Sequence, residues 1–264
     1  MSEVLVPAVP AWFQNGFHRF LRPFLKRHFH AIAVDRQSCA ALDFDADEPL
    51  IIYGNHPSWW DPLIAHFLNR HLFPDRQFHA PIDAEALEQY SVFGKLGFYG
   101  VEMNTTGGAA AFLKQTAAIL HGGRTAIWIT PEGRFADARD HQAELMPGLA
   151  HIGANMGQGV VLPLALEYVF WEERLPVCLA KFGDPVRIAD CPDKSKLEWR
   201  EMLSADLRRT QDELRELAIN RSSDPFDNLI GGKSGAGMFY DTFRRMRSLF
   251  SRKTFRSNHG EQFE

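Results

Sequence analysis

The chain has 264 residues, 45% of them hydrophobic, and a formal net charge of −4. That is enough apolar material for one large domain with its own core, or for two small ones, and it excludes a chain disordered throughout. The mild negative balance also excludes the bulk electrostatic footprint of a nucleic-acid binder.

The charge is unevenly spread. Arg19, Arg22, Lys26 and Arg27 face only Glu3 within residues 1–31, and seven Lys or Arg face only Asp241 within residues 233–256. Basic ends on an acidic body point to attachment to an anionic surface. Cys39, Cys178 and Cys191 are too few and too scattered for a disulfide framework or a zinc site, so reduced thiols in a cytoplasmic protein are expected. The start of the chain does not read as a secretory signal, and no run of about 18 apolar residues is present to span a bilayer.

In chain order, Phe13, Phe17, Phe20, Leu21 and Phe24 recur at helical spacing, with Arg19, Arg22 and Lys26 opposite them. This is the pattern of an interfacial helix or of one packed on the domain, and Pro23 is expected to kink or split it. Ala31–Asp35 and Leu50–Tyr53 read as short buried strands joined by the acidic link 43–48. Asn55-His56-Pro57-Ser58-Trp59-Trp60-Asp61-Pro62 follows, with Asp61 expected to cap a helix that has proline in its first turn.

Further strands are expected at 77–82, 98–103, 125–130, 160–166 and 176–182. Helices are expected at 83–90, 109–121, 149–156 and 194–219. Strands alternating with helices predict an α/β fold, a mixed and partly parallel sheet flanked by helices, with basic amphipathic N-terminal and C-terminal segments. The expected division is a membrane-associating segment over 1–31, a catalytic domain over 32–220 and a basic tail over 221–264. Phe239, Phe243, Met246 and Phe250 mark the amphipathic part of that tail. Asp227 to Ser234 imitates the end of a phosphate-binding loop, but Asp227 replaces its first glycine and no strand is expected before it, so the nucleotide reading is discarded.

His56 and Asp61 are the candidate chemical pair. The spacing alone is weak, since His30 and Asp35 repeat it. Position separates the two: His56 follows a buried strand, where loops of α/β sheets carry sites, whereas His30 ends a basic helix. Glu132 lies beside Gly133 at a strand end, in Pro131-Glu132-Gly133-Arg134-Phe135. Trp59 and Trp60 suit an acyl channel, a membrane interface or plain core packing. The remaining histidines show no metal-ligand spacing, and no metal is assigned.

These stretches together resemble the glycerolipid acyltransferase family, which includes the lysophosphatidate acyltransferases. Asn55 to Asp61 is similar to its first block, Gly97-Phe98-Tyr99-Gly100-Val101-Glu102 to an altered second, Pro131 to Phe135 to its third, and Val161-Leu162-Pro163-Leu164-Ala165 to its fourth. The four occur in family order and cover about residues 50–170. The resemblance implies that His56 is the general base on the acceptor hydroxyl and that Asp61 orients it. It also implies that Glu132, Gly133 and Arg134 hold the acceptor, and that Trp59, Trp60 and Pro163 line the acyl-donor pocket.

The donor would be acyl-CoA or acyl carrier protein, used as a substrate, with no cofactor. The acceptor would be a lysophospholipid or related lyso-lipid, met at the cytoplasmic face of a membrane with anionic lipid. The third block departs from the family's Glu-Gly-Thr-Arg, since Arg134 directly follows Gly133. The second carries Met103 and Asn104 where an arginine for the acceptor phosphate is usual. A lyso-lipid without a terminal phosphate fits that change better. An acyl-thioesterase or lipid hydrolase, and a non-catalytic lipid-binding protein, are the rival readings, and the lack of a Gly-x-Ser-x-Gly elbow weighs against a serine hydrolase.

Overall fold

Residue parity along the strands decides which way each side chain faces, because successive side chains of a strand point to opposite faces. Ile32, Val34, Leu50, Ile52, Leu162, Leu164 and Leu166 pack into one core layer, and Ala31, Ala33, Ile51, Tyr53, Val161 and Ala165 pack on the other side. A sheet with both faces buried needs helices on both, and that is the architecture found. The structure, a computed structural model, describes residues 6–102, 105–231 and 263.

The elements are α1 (Ala11–His28), β1 (Ala31–Asp35), α2 (Arg36–Cys39), β2 (Leu50–Gly54), α3 (Asp61–Leu72), β3 (Gln77–Asp83), α4 (Ala84–Gln89), β4 (Phe98–Val101), α5 (Thr106–His121), β5 (Thr125–Ile129), α6 (Pro147–Asn155), β6 (Val160–Val169), β7 (Val177–Phe182), β8 (Val186–Arg187), α7 (Lys196–Asn220) and β9 (Phe226–Gly231). The sheet runs β4-β3-β5-β2-β6-β7-β1-β9, with β8 also on β6. The β4-β3-β5-β2-β6 stretch is parallel throughout. Among the described residues, antiparallel pairs are confined to β6–β7, β6–β8 and β1–β9. The carboxyl ends of β2, β4, β5 and β6 therefore share one edge, the place where open α/β sheets bind their ligands.

Helices α1 and α3 cover the first face through Leu21, Leu25, Ile64, Phe67 and Leu68. Helices α5, α6 and α7 cover the other through Ile119, Leu120, Leu149, Ile152, Trp199, Leu203 and Leu207. The mixed α/β class read from the sequence is thus observed.

Some boundaries differ for local reasons. Helix α5 starts three residues before the expected 109 because Thr105 caps it, its hydroxyl accepting from Gly108 N–H. Gly108 reads as a loop residue but serves close packing, since a Cβ there would lie 2.0 Å from the Glu102 carbonyl oxygen. Strand β6 runs three residues past the expected 166. Strand β9 is not among the expected strands: it falls in the stretch assigned to the tail and pairs antiparallel with β1, so residues 227–231 of the phosphate-loop imitation are edge strand. Residues 232–234 and the amphipathic stretch 239–250 lie outside the described residues.

Helix α1 is continuous through Pro23 rather than split. Pro23 and Arg19 are both exposed, so the carbonyl that Pro23 cannot pair faces water. The apolar stripe of α1 turns mostly inward: Leu21 and Leu25 are buried, and Phe13 and Phe17 pack against the same core. Trp12 and Phe20 remain outside, with Arg19, Arg22 and Lys26. Leu25 is 0% exposed, so Leu25→Ala is expected to cost about 2–5 kcal/mol, whereas Phe20→Ala should change little. Urea denaturation of both variants checks this; equal small losses would show that α1 does not contribute to the core.

Candidate active site

Strand β2 ends at a glycine for a steric reason. A Cβ on Gly54 would approach the Leu164 carbonyl oxygen of β6 to 2.8 Å. Beyond it, the side chain of buried Asn55 continues the pairing that the backbone abandons. Its Oδ1 accepts from Leu166 N–H at 2.8 Å and its Nδ2 donates to the Leu166 carbonyl at 2.9 Å. This clamp ties the start of the motif to β6 and frees the next residue, His56, to leave the sheet.

The His56 carbonyl accepts from Ala136 N–H at 3.1 Å, and its ring lies on Phe135 with centroids 4.2 Å apart. His56 Nδ1 is 2.6 Å from Asp61 Oδ2. An ionised carboxylate can only accept, so Nδ1 carries the proton and Nε2 holds a free lone pair.

Asp61 differs from the expected cap. It is the first residue of α3, the capping position is Trp60, and no side chain caps the helix. The carboxylate is turned to other donors. Oδ2 also accepts from Ser58 N–H at 3.0 Å, and Oδ1 accepts from the Tyr168 hydroxyl at 2.5 Å. At 4% exposure a carboxylate needs such donors, and the amino end of α3 adds its favourable dipole. Burial, with Cys178 and Asp61 nearby, pushes the Tyr168 phenol well above its ordinary range, so it is a donor. The second His-x4-Asp match does not assemble: His30 lies 4.0 Å from Glu173, while Asp35 binds Lys181 and the Ser38 N–H.

The loop after β5 brings the third motif to the same place. Gly133 adopts φ 63° in a turn closed by its N–H on the Thr130 carbonyl. Glu132 is buried and points inward, where Arg208 of α7 donates to its Oε1 at 2.6 Å. Arg208 also donates to the Ala143 carbonyl at 2.5 Å, and Gln211 donates to the Ala138 carbonyl at 2.7 Å. Helix α7 therefore grips the whole loop from beneath. Arg134 points outward and, among the described residues, makes one ion pair, exposed, to Asp140 at 3.0 Å. Such a pair contributes little, which leaves the guanidinium available to an anionic group.

The aromatic residues divide. Trp60 packs on Phe29 at 4.9 Å and near Phe24 and His28, joining α1 to the motif. Trp59 is 66% exposed and Phe135 59%. Pro163 is not brought to this group. It is buried in β6, its parity places it with Val161 and Ala165, and its ring meets the Gly183 position beneath Thr210 of α7. A cavity of about 370 Å³ opens at the opposite, amino-terminal edge, lined by Arg70, Arg76 and Arg124 among others. Arg76 there is taken up by the carbonyls of Glu48, Thr125 and Asp45.

Tyr168, Arg208 and Gln211 were not singled out by the sequence. Only Tyr168 leaves a trace in it: it completes the even-numbered row Leu162, Leu164, Leu166 with a phenol.

Residues 40–167 match the family model described as Acyltransferase. The matched span covers the His56 loop, α3, the Glu132–Arg134 loop and most of β6, the parts that build this edge of the sheet. Those residues form a domain of the glycerolipid acyltransferase family, and its activity is acyl transfer. No curated protein matches the chain closely enough to add to this. Among the described residues, no helix is long and apolar enough to cross a membrane.

Removing Arg208 would strand the Glu132 carboxylate in the interior. Arg208→Ala is expected to lose about 3–5 kcal/mol, and adding Glu132→Gln should restore part of it by removing the unpaired charge. Denaturant titration of the single and double variants measures this; full additivity of the two losses would show that the pair is not coupled.

Proposed function

We propose that the protein transfers a fatty acyl group from a thioester, on coenzyme A or acyl carrier protein, to a hydroxyl of a lyso-lipid at a membrane surface. The observation that carries this reading is the held imidazole: Nδ1 is bonded to Asp61, so Nε2 is the free basic atom. Nε2 takes the proton of the acceptor hydroxyl as its oxygen attacks the thioester carbonyl. The tetrahedral intermediate collapses by breaking the carbon–sulfur bond, and the His56 imidazolium returns the proton to the leaving sulfur. Asp61 stabilises the imidazolium between these steps.

The surroundings support a lipid acceptor. Trp59 and Phe135 present exposed rings beside His56, and Phe170 follows the end of β6 with its ring equally open. Indole and phenyl groups of this kind suit acyl chains and the membrane interface. Attachment is peripheral, at the cytoplasmic face, through these rings, the exposed Phe20, and the basic side chains of α1 beside anionic lipid. In this reading Trp59 and Trp60 guide the acyl donor, while Gly133 and Arg134 meet the acceptor head and Glu132 sets their loop through Arg208. Pro163 contributes by shaping β6.

Arg134 is the cation of the third motif, and the second motif reads Glu102-Met103-Asn104, of which Met103 and Asn104 lie outside the described residues. The acceptor is therefore a lyso-lipid with a zwitterionic, amino-acid or neutral head in preference to lysophosphatidate, since a terminal phosphate calls for more than one cationic contact.

The test measures thiol release from a long-chain acyl-CoA with and without a mixed lyso-lipid extract, and identifies the products by mass spectrometry. Release that depends on the extract, with diacyl lipid formed and lysophosphatidate poorly used, is expected. His56→Ala should lower it by at least about 10²–10⁴-fold. Release independent of acceptor would make the protein a hydrolase; near-normal turnover by folded His56→Ala would overturn the mechanism.

A further inference from the structure

Strand β6 carries a row of even-numbered side chains into the layer beneath α1 and α3. Leu162, Leu164 and Leu166 are buried there, and Tyr168 ends the row with its ring packed against the same core. A phenol placed among leucines must find a partner for its hydroxyl. Its partner is Asp61 Oδ1 at 2.5 Å, within the range of an O–H donor on a charged carboxylate.

The other carboxylate oxygen is already committed. Oδ2 accepts from His56 Nδ1 and from Ser58 N–H. Each oxygen thus has its own donors, and the carboxyl plane is fixed from two sides. The same strand sets the other end of the motif, because the Asn55 clamp grips Leu166, two residues before Tyr168. Opposite Tyr168 in β7 stands buried Cys178.

We propose that Tyr168 is a positioning residue for acyl transfer: its hydroxyl holds Asp61 Oδ1 so that Oδ2 meets His56 Nδ1. This rests on reading His56 and Asp61 as the base and its orienting carboxylate. Tyr168 acts through Asp61 and does not touch substrate. It also spreads the carboxylate charge, so that the pull of Asp61 on an imidazolium is moderated.

Two substitutions test the role without disturbing the packing. Tyr168→Phe removes the hydroxyl and keeps the ring. Site-specific 3-fluorotyrosine at the same position keeps the shape and makes the hydroxyl a stronger donor. The assay uses palmitoyl-CoA and a mixture of lysophospholipids with choline, ethanolamine and glycerol heads, on the full chain.

Tyr168→Phe should lower kcat by about ten- to a hundredfold, the loss of one hydrogen bond to a charged group, with KM for palmitoyl-CoA unchanged. The acid limb of its pH–rate profile should move to higher pH, because Asp61 then stabilises the imidazolium more strongly. The fluorinated protein should move that limb the other way. Limbs that stay together in all three proteins, or a loss in kcat matched by a rise in KM, would reduce Tyr168 to a packing residue and overturn the proposal. His56→Ala is assayed alongside. If it is inactive while Tyr168→Phe matches wild type, the role of Tyr168 alone fails; if His56→Ala itself turns over normally, both readings fall.

Discussion

A carboxylate buried at the amino end of a helix is the constraint on which the rest of this site depends. Taken out of water, Asp61 requires donors, and it finds an imidazole N–H, a backbone N–H and a phenol. They come from the loop after β2 and from the end of β6. Satisfying one side chain therefore fixes the relation between two neighbouring parallel strands, the turn that joins β2 to α3, and the tautomer of His56. Chemistry at Nε2 follows from that arrangement, since every proton of the network is used on the far side of the ring.

The loop after β5 is governed by a second buried charge. Glu132 turns away from solvent to meet Arg208, and the guanidinium continues to backbone carbonyls of the same loop. Helix α7 thus holds from below a segment whose upper side offers Arg134 and Phe135 beside His56. The division is physical: the inward residue of the motif stabilises the loop and the outward residues are left for a ligand. Both networks lie at the carboxyl edge of the parallel strands.

Much of this was legible in the sequence because it is local. Continuous apolar runs in Ala31–Asp35, Leu50–Tyr53 and Val160–Leu166 announce buried strands, and four motifs in order point to the family. The His56–Asp61 pair spans five positions and one turn, so its contact follows from spacing plus context. The partners that complete it are distant. Tyr168 is 107 residues from Asp61, and Arg208 is 76 residues from Glu132. Strand register brings the first pair together, and the packing of α7 under the loop after β5 brings the second. The fate of α1 was open for a related reason: a Phe-rich stripe suits a membrane and a protein core equally, and the buried Leu21 and Leu25 decide for the core over most of its length. For Asp61, helix capping and a donor-rich pocket both suit a carboxylate before proline, and only the position of Tyr168 separates them.

The central claim is that His56 is held with its proton on Nδ1 and its lone pair on Nε2. Nitrogen NMR of histidine-labelled protein, with the His56 ring assigned by comparison with His56→Gln, reads this directly. In the neutral ring the account predicts a protonated Nδ1 and an unprotonated Nε2, with this preference lost in Asp61→Asn. A neutral ring protonated on Nε2, or a tautomer indifferent to Asp61→Asn, would contradict it.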